Sequence, residues 1–389
     1  MSVYIFAGGG TGGHLYPGLA VAQELLAAEP TAAIVFACSS REIDRKILEP
    51  RPYVMVPQPI RPLPRLRSPG TIWPFVTSYL RSRSLAKRLI ADLKPAAVLG
   101  LGGFAAGPVM VQAARGGIRR AFLNPDAVPG KANQLLARHA QVIFTQFERT
   151  ADTFAARHRH KVQCVGCPIR PAFAATFCDT AATPSAAATA AARDTAVRTF
   201  GLHPQRRTLL VFGGSLSAES VSQALGQLAD DLAPLADRWQ VLHISGLPSA
   251  KTIETRLRSA GLHATTLPYC DRMDLAYAAA DVVLSRGGAA TVAEIAVAGK
   301  AAVIMPYPHH KDHQQKLNAA ELEHANAAVV LTDTKNPATN AASLREHLLP
   351  ILRDEPTLHR MQQAAARVAK PNAAQTVAQW MLRENGGIQ

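Results

Sequence analysis

Hydrophobic residues along this chain fall in short blocks that repeatedly give way to glycine and then to a helical spacing. The first block, residues 3–7, runs into Gly8-Gly9-Gly10-Thr11-Gly12-Gly13, after which Leu19, Ala22, Leu25 and Leu26 recur at helical intervals. Further apolar blocks at 33–37, 96–99, 121–123 and 141–145 predict strands, the second leading into another glycine loop and the last two separated by a helix. Short apolar runs alternating with helical patterns predict a parallel sheet with crossover helices.

The rhythm breaks at residues 172–199, where alanine and threonine dominate and few large apolar side chains are present. Such a stretch predicts a flexible linker or surface insertion, with part of it able to form an exposed alanine helix. The rhythm then resumes. Residues 208–212 lead to Gly213-Gly214-Ser215, 240–244 to Ser245-Gly246 and 281–284 to Arg286-Gly287-Gly288, while 301–305 end at Pro306. Residues 372–384 predict a last helix with Val377, Trp380 and Met381 on one face. The pattern gives an α/β fold of two Rossmann-like, doubly wound domains facing across a cleft. Its boundaries are residues 1–165 for the first domain, 166–200 for the linker and 201–370 for the second domain. Residues 371–389 form a terminal helix expected to pack back on the first domain.

The chain has 389 residues, a length that suits two domains of the usual ~100–200 residues each. Lysine and arginine exceed acids by 42 to 28, a net charge of +14 that points to an anionic partner. Residues 95–114 carry no charge, yet Gly100, Gly102, Gly103, Gly107 and Pro108 mark them as strand, loop and helix start, not a membrane span. The N-terminal stretch has no basic segment before its apolar run, unlike a secretory leader. Five cysteines, an odd number sparsely placed, fit a reducing compartment. Cys164 and Cys167 form a lone C-x-x-C with no second pair to complete a zinc site.

Gly8, Gly10 and Gly13 satisfy G-x-G-x-x-G between a strand and a helix, where backbone N–H groups attract anions. A dinucleotide site would also need an acid at the end of the second strand, and residues 36–39 offer Phe-Ala-Cys-Ser instead. His14 follows the last glycine. There it either takes a proton from an attacking hydroxyl or only bonds the helix start. Gly102 and Gly103 lie in a second glycine loop and Ser215 in a third. Glu294, early in the helix begun at 287–290, either complements the helix dipole or accepts from two ribose hydroxyls. His309 and His313 stand four apart, but Pro306, Pro308 and Lys311 favour a polar loop over a metal site.

The stretches GGGTGGHLYPGLAVAQEL, LGLGGFAAGP, FGGS and SRGGAATVAEIAVAGKAAVIMPYPHHKDHQQ occur in order. Together they resemble the MurG family, the UDP-N-acetylglucosamine:lipid I N-acetylglucosaminyltransferases of peptidoglycan synthesis, which belong to glycosyltransferase family 28 and have the GT-B fold. The resemblance implies that Thr11, Gly12 and Gly13 lie near the donor's diphosphate and sugar, with Arg170 and Ser215 on its phosphates or sugar. It places Cys270 and Ala289, Ala290, Thr291, Val292, Ala293 and Glu294 around uridine, with Glu294 on the ribose, and Gln314 and Gln315 on the transferred sugar. It implies that His14 activates the acceptor; Asp126 is the other candidate base, and Gly102, Gly103, Asn124 and Asp126 are expected on the acceptor side.

The chain departs from the family at Leu123-Asn124-Pro125-Asp126, where His-Glu-Gln-Asn is usual, and at 213–217, which lack the glutamine that usually follows the serine. Donor recognition therefore transfers better than acceptor recognition, and another lipid acceptor such as diacylglycerol, or a non-catalytic nucleotide-sugar-binding role, stays open. Residues 61–94 hold eight Lys/Arg and only Asp92 as an acid, half of the chain's net excess, interleaved with Ile72, Trp73, Phe75, Val76, Tyr79 and Leu80. That mixture suits adsorption to an anionic membrane, at about 1 kcal/mol per surface cation. The expected location is peripheral, on the cytoplasmic face of the plasma membrane. No cofactor, metal or nucleic-acid partner is expected.

Overall fold

The computed structural model describes residues 1–61, 69–179, 185–213, 218–308 and 313–383. Thirteen strands form two sheets among them. The first holds β1 (Val3–Gly8), β2 (Ala33–Ser39), β3 (Val54–Gln58), β4 (Ala97–Gly102), β5 (Arg119–Asn124), β6 (Val142–Thr145) and β7 (Val162–Cys164). They pair in the order β3-β2-β1-β4-β5-β6-β7, every pair parallel. The second holds β8 (Arg207–Phe212), β9 (Trp239–Ile244), β10 (His263–Leu267), β11 (Val282–Ser285), β12 (Ala301–Ile304) and β13 (Ala328–Val330). Its order is β10-β9-β8-β11-β12-β13, again all parallel.

Both orders reverse direction after the first strand of the sheet, between β1 and β4 and between β8 and β11. At such a switch point the connecting loops leave to opposite sides, and their strand ends frame a crevice for ligands. Central strands are apolar on both faces because helices cover both. In β1, Tyr4 and Phe6 pack into one core with Phe36, Leu19 and Leu25, while Ile5 and Ala7 face another with Val98, Val109 and Met110. The second sheet has a core containing Leu209, Val211, Val241, Trp239, Val282 and Leu348.

The chain divides into two units: Met1–Pro171 with Asn372–Gln389, and Ala172–Pro371. The terminal helix Ala373–Leu382 lies against the helix Gly12–Ala28 of the first unit, burying Val377, Ala378 and Met381. The Trp380 ring meets Phe144 edge-on at 5.8 Å, and the Arg119 guanidinium stands 4.3 Å from the Trp380 centroid.

The alanine-rich stretch differs from the flexible linker expected of it. Residues 185–200 form a helix, Ala186–Phe200, capped by the Ser185 hydroxyl and ended by Gly201 at φ 63°. Arg193 reaches from it to the carbonyls of Ala279 and Arg206 and to the Asp281 carboxylate. Ala196 and Phe200 are buried, and the helix packs on another, Met273–Ala279, so its small side chains allow close approach. It is an integral part of the second unit.

Candidate functional site

The first unit gathers its polar groups at the carboxyl ends of β1 and β4. Gly8, at φ 139°, passes so near the β4 loop that a Cβ would stand 2.5 Å from the Gly102 carbonyl oxygen, so only glycine fits. The next turn is held by Asp44, a wholly buried carboxylate that sequence reasoning missed. Asp44 accepts from the Gly10 amide at 2.7 and 2.9 Å, from the Ser39 amide at 2.9 Å and from the Ser39 hydroxyl at 2.6 Å. Arg41 donates to the Gly10 carbonyl at 3.0 Å. The amide that a dinucleotide loop would offer to phosphate is thus filled by the protein's own anion. Thr11, Gly12 and Gly13 remain at the open start of the helix Gly12–Ala28, with Thr11 and Gly13 exposed.

His14 lies half-buried in the first turn of that helix, its Nδ1 3.2 Å from the Gly9 carbonyl oxygen. A carbonyl can only accept, so this contact puts the proton on Nδ1 and leaves the Nε2 lone pair available. The second glycine loop borders the ring: a Cβ on Gly102 would be 3.4 Å from His14 Cδ2, and one on Gly103 would be 3.7 Å from Cε1. Both glycines are at positive φ, 95° and 75°, and their tightest neighbours are Asn133 and the Gly9 carbonyl, so they shape the loop on which the ring rests. Asn124 differs from the acceptor contact expected of it. It is 1% exposed, its amide donates to the Asp126 carbonyl at 2.6 Å, and its oxygen accepts from Asn133 at 2.9 Å. Both ends brace the 124–133 loop. The Asp126 side chain is half-exposed at the same strand edge.

In the second unit the corresponding edge is built on Gly287, where a Cβ would stand 2.2 Å from the Gln315 carbonyl oxygen. Asn318 donates to the Gly287 carbonyl at 3.3 Å, and Gln315 Oε1 accepts from the Tyr307 amide at 2.7 Å. Gln314 and Gln315 therefore open their helix, Gln314–His324, directly against the loop that starts the helix Ala289–Val297. Along the latter, Ala289, Ala290, Thr291 and Glu294 are partly exposed. Val292 and Ala293 turn inward, at 1% and 9% exposure, so these two side chains support the helix from its core side and do not line a ligand surface. Cys270 is half-buried in the loop after β10.

Two supports of this edge were not singled out in the sequence. Tyr277 is buried among the rings of Phe173 and Phe212 and faces Glu294. Burial, with the Glu294 carboxylate added, pushes its phenol well above the usual tyrosine range, so it stays neutral beside that carboxylate. Arg286 makes a buried ion pair with Asp333 at 2.8 Å and donates to the Met305 and Pro306 carbonyls, joining the loops after β11 and β12. Burial alone would raise the Asp333 carboxyl. Bonds from Ser220, Asn340, the Lys335 amide and Arg286 together outweigh it and hold the group below the usual range. Arg286 stood inside a quoted motif, but its partner lies beyond two intervening strands.

Of the remaining expected residues, Arg170 falls in the first unit, just before the helix Pro171–Phe177. Ser215, His309, His310 and Lys311 lie outside the described residues, whereas His313 opens the helix Gln314–His324 in the left-handed conformation. Cys164 and Cys167 are in no disulfide, and their thiols donate to the Gln146 and Pro168 carbonyls. No group of three or more metal-ligating side chains occurs among the described residues.

Comparison with known proteins gives these edges a lineage. Residues 4–145 match the glycosyltransferase family 28 N-terminal domain, and residues 208–377 match the glycosyltransferase family 28 C-terminal domain. A relative from Myxococcus xanthus is 31% identical over 382 residues, covering 97% of this chain and 92% of the relative. One from Anaeromyxobacter sp. is 32% identical over 374 residues, covering 96% and 90%. Both are named UDP-N-acetylglucosamine--N-acetylmuramyl-(pentapeptide) pyrophosphoryl-undecaprenol N-acetylglucosamine transferase. The crystal structure of Acinetobacter baumannii MurG superposes with a TM-score of 0.70 at 26% identity, covering 97% of this chain and 98% of that one. With both halves matched by family models and relatives aligned over nearly the whole chain, this chain belongs to the MurG family of glycosyltransferase family 28.

Proposed function

We propose that this chain transfers N-acetylglucosamine from UDP-N-acetylglucosamine to the 4-hydroxyl of the muramyl sugar of lipid I, forming lipid II with inversion at the anomeric carbon. The observation that carries the mechanism is the bond between His14 Nδ1 and the Gly9 carbonyl. It leaves the Nε2 lone pair available to take a proton, as an attacking hydroxyl requires. As that hydroxyl adds to the anomeric carbon, its proton passes to Nε2 and the electron pair of the breaking bond leaves with UDP. Asp126, at the same strand edge, is the alternative base.

On the donor side, Glu294 accepts from the ribose hydroxyls, and Ala289, Ala290 and Thr291 supply the helix start beside uridine. Gln314 and Gln315 hold the sugar, and Arg170 offers a cation to the leaving diphosphate. Helix dipoles and one cation suffice for that charge, so the transfer proceeds without a resident metal. The acceptor is lipid-borne, and the helix Pro69–Leu93 exposes Ile72, Trp73 and Leu80 among its basic residues, which supports docking on the cytoplasmic face of an anionic membrane. No helix among the described residues is long and apolar enough to cross one.

The test is UDP release from UDP-N-acetylglucosamine by purified protein in detergent and EDTA, with and without a lipid I analogue. Release should require lipid I, survive EDTA and fall about 10²–10⁴-fold in His14→Ala, as loss of a general base does. Donor binding without lipid I-dependent release would overturn the acceptor assignment, and diacylglycerol would be assayed next, because the 123–126 segment departs from the family there. An Asp126→Asn loss with an unaffected His14→Ala would reassign the base.

A further inference from the structure

A cavity of about 470 Å³ opens in the first unit, between the carboxyl ends of β2 and β3 and the helix Pro69–Leu93. The Ser78 hydroxyl accepts from the Arg61 amide at 3.2 Å and donates to the Phe75 carbonyl at 2.8 Å, which ties one wall to the other. Arg61 and Arg81 line it, both exposed, and neither has an ion-pair partner among the described residues. Gln58, also in the lining, is fully buried, and its side-chain oxygen finds no hydrogen-bond donor. Thr77 gives its hydroxyl proton to the Pro74 carbonyl at 3.1 Å, which leaves its oxygen able to accept. Pro57, Pro59, Ile60 and Pro74 supply the apolar surface.

Two guanidiniums without a carboxylate call for an anion, and two acceptors without a donor call for N–H or O–H groups. A peptide carries both: a carboxylate at its end and an amide N–H at each residue, with small side chains to meet the apolar surface. Position narrows the choice. The cavity opens on the same edge of the sheet as His14. There β3 pairs with β2 and β2 with β1, so the end of β3 lies two strands, about 10 Å, from the end of β1. Ser40 in the lining follows Ser39, which donates to Asp44, the acceptor of the Gly10 amide, so cavity and glycine loop share one clamp. In the transfer proposed above, the muramyl sugar bears its peptide through the oxygen on carbon 3, next to the reacting 4-hydroxyl. The lipid diphosphate is joined at carbon 1, across the ring. With the 4-hydroxyl at His14, a five-residue peptide at about 3.3 Å per residue spans about 16 Å and reaches the cavity.

We propose that this cavity is a subsite for the anionic peptide of the muramyl acceptor, with Arg61 and Arg81 on a peptide carboxylate and Gln58 and Thr77 accepting from peptide amides. The proposal rests on the transfer reaction above, and the experiment separates the two. UDP release is measured in detergent, without vesicles, on two acceptor analogues that share a muramyl diphosphate and one short lipid chain. One bears the pentapeptide, the other only an amidated lactyl group. Wild type should turn over both, with a KM about tenfold lower for the peptide-bearing analogue. Arg61→Gln/Arg81→Gln should raise that KM about tenfold, the loss of a charged anchor, with kcat unchanged and the peptide-free analogue unaffected. Thr77→Leu, which fills the cavity without changing charge, should do the same. Arg45→Gln/Lys46→Gln, an equal charge loss at exposed positions of the nearby helix Glu42–Leu48, should alter neither KM.

If wild type handles both analogues with the same KM, the peptide subsite is overturned and the transfer reaction stands. The same holds if the Arg61/Arg81 and Thr77 variants, folded by thermal unfolding, keep the wild-type KM or raise it for both analogues alike. If neither analogue supports UDP release, the transfer reading falls and the subsite with it.

Discussion

Removing the Asp44 carboxylate tests whether the glycine loop is held from within. Three donors converge on it: the Gly10 amide, the Ser39 amide and the Ser39 hydroxyl. In Asp44→Ala the hydroxyl can rotate to another acceptor, but the two half-buried amides cannot, at about 1–3 kcal/mol each. The expected destabilisation is therefore about 4 kcal/mol. Asp44→Asn keeps an oxygen where Oδ2 accepts all three donors, but turns an NH₂ toward the Gly10 amide in place of Oδ1, 2.7 Å away in the native protein. One opposed contact predicts about 2 kcal/mol. Urea unfolding measures the order, and amide exchange at residues 9–14 should report lost protection in the same order. Because the Gly9 carbonyl orients His14, turnover should fall as well. An Asp44→Ala variant within ~0.5 kcal/mol of wild type, the range of an ordinary surface change, would refute the clamp.

Two further outcomes follow from buried charge. Asp333→Ala should destabilise the second unit by about 3–5 kcal/mol because Arg286 is left buried without its carboxylate, whereas Arg286→Met/Asp333→Leu should recover most of that loss but not the wild-type UDP affinity, read by calorimetry. His243 is buried against Ser222, and burial lowers its pKa from the ordinary 6.5 to about 4. Between those values the unfolded chain takes a proton that the native state refuses, so stability is full above pH 6.5 and falls as pH drops toward 4, by about 3 kcal/mol in all. His243→Gln should remove that share of the slope, and a wild-type-minus-variant difference equal at neutral pH and at the acid end would contradict it.

What the sequence by itself determined here was the repeating βα order, the two glycine-led edges and the family. The central strands β1, β2, β4, β8 and β11 are buried on both faces, so they read as apolar runs, all but β2 leading into or through glycine. The strands that escaped the pattern, β3, β7, β10 and β13, are the outermost strands of the two sheets. Each is only partly buried, so its side chains obey no single face and its apolar signal fades. The alanine-rich stretch was read as able to form a helix, but not the packing of that helix: small residues bury little surface, and only the neighbouring helix shows that closeness is their use. His14 was visible from its place after the glycines, but its proton-bearing nitrogen was not, since a tautomer is set by the partner the ring meets. Asp44, Asp333 and Tyr277 were legible to no local rule. Each meets a partner on another element, and a carboxylate or phenol gains its meaning from the donors and charges that folding brings to it, which only the tertiary structure decides.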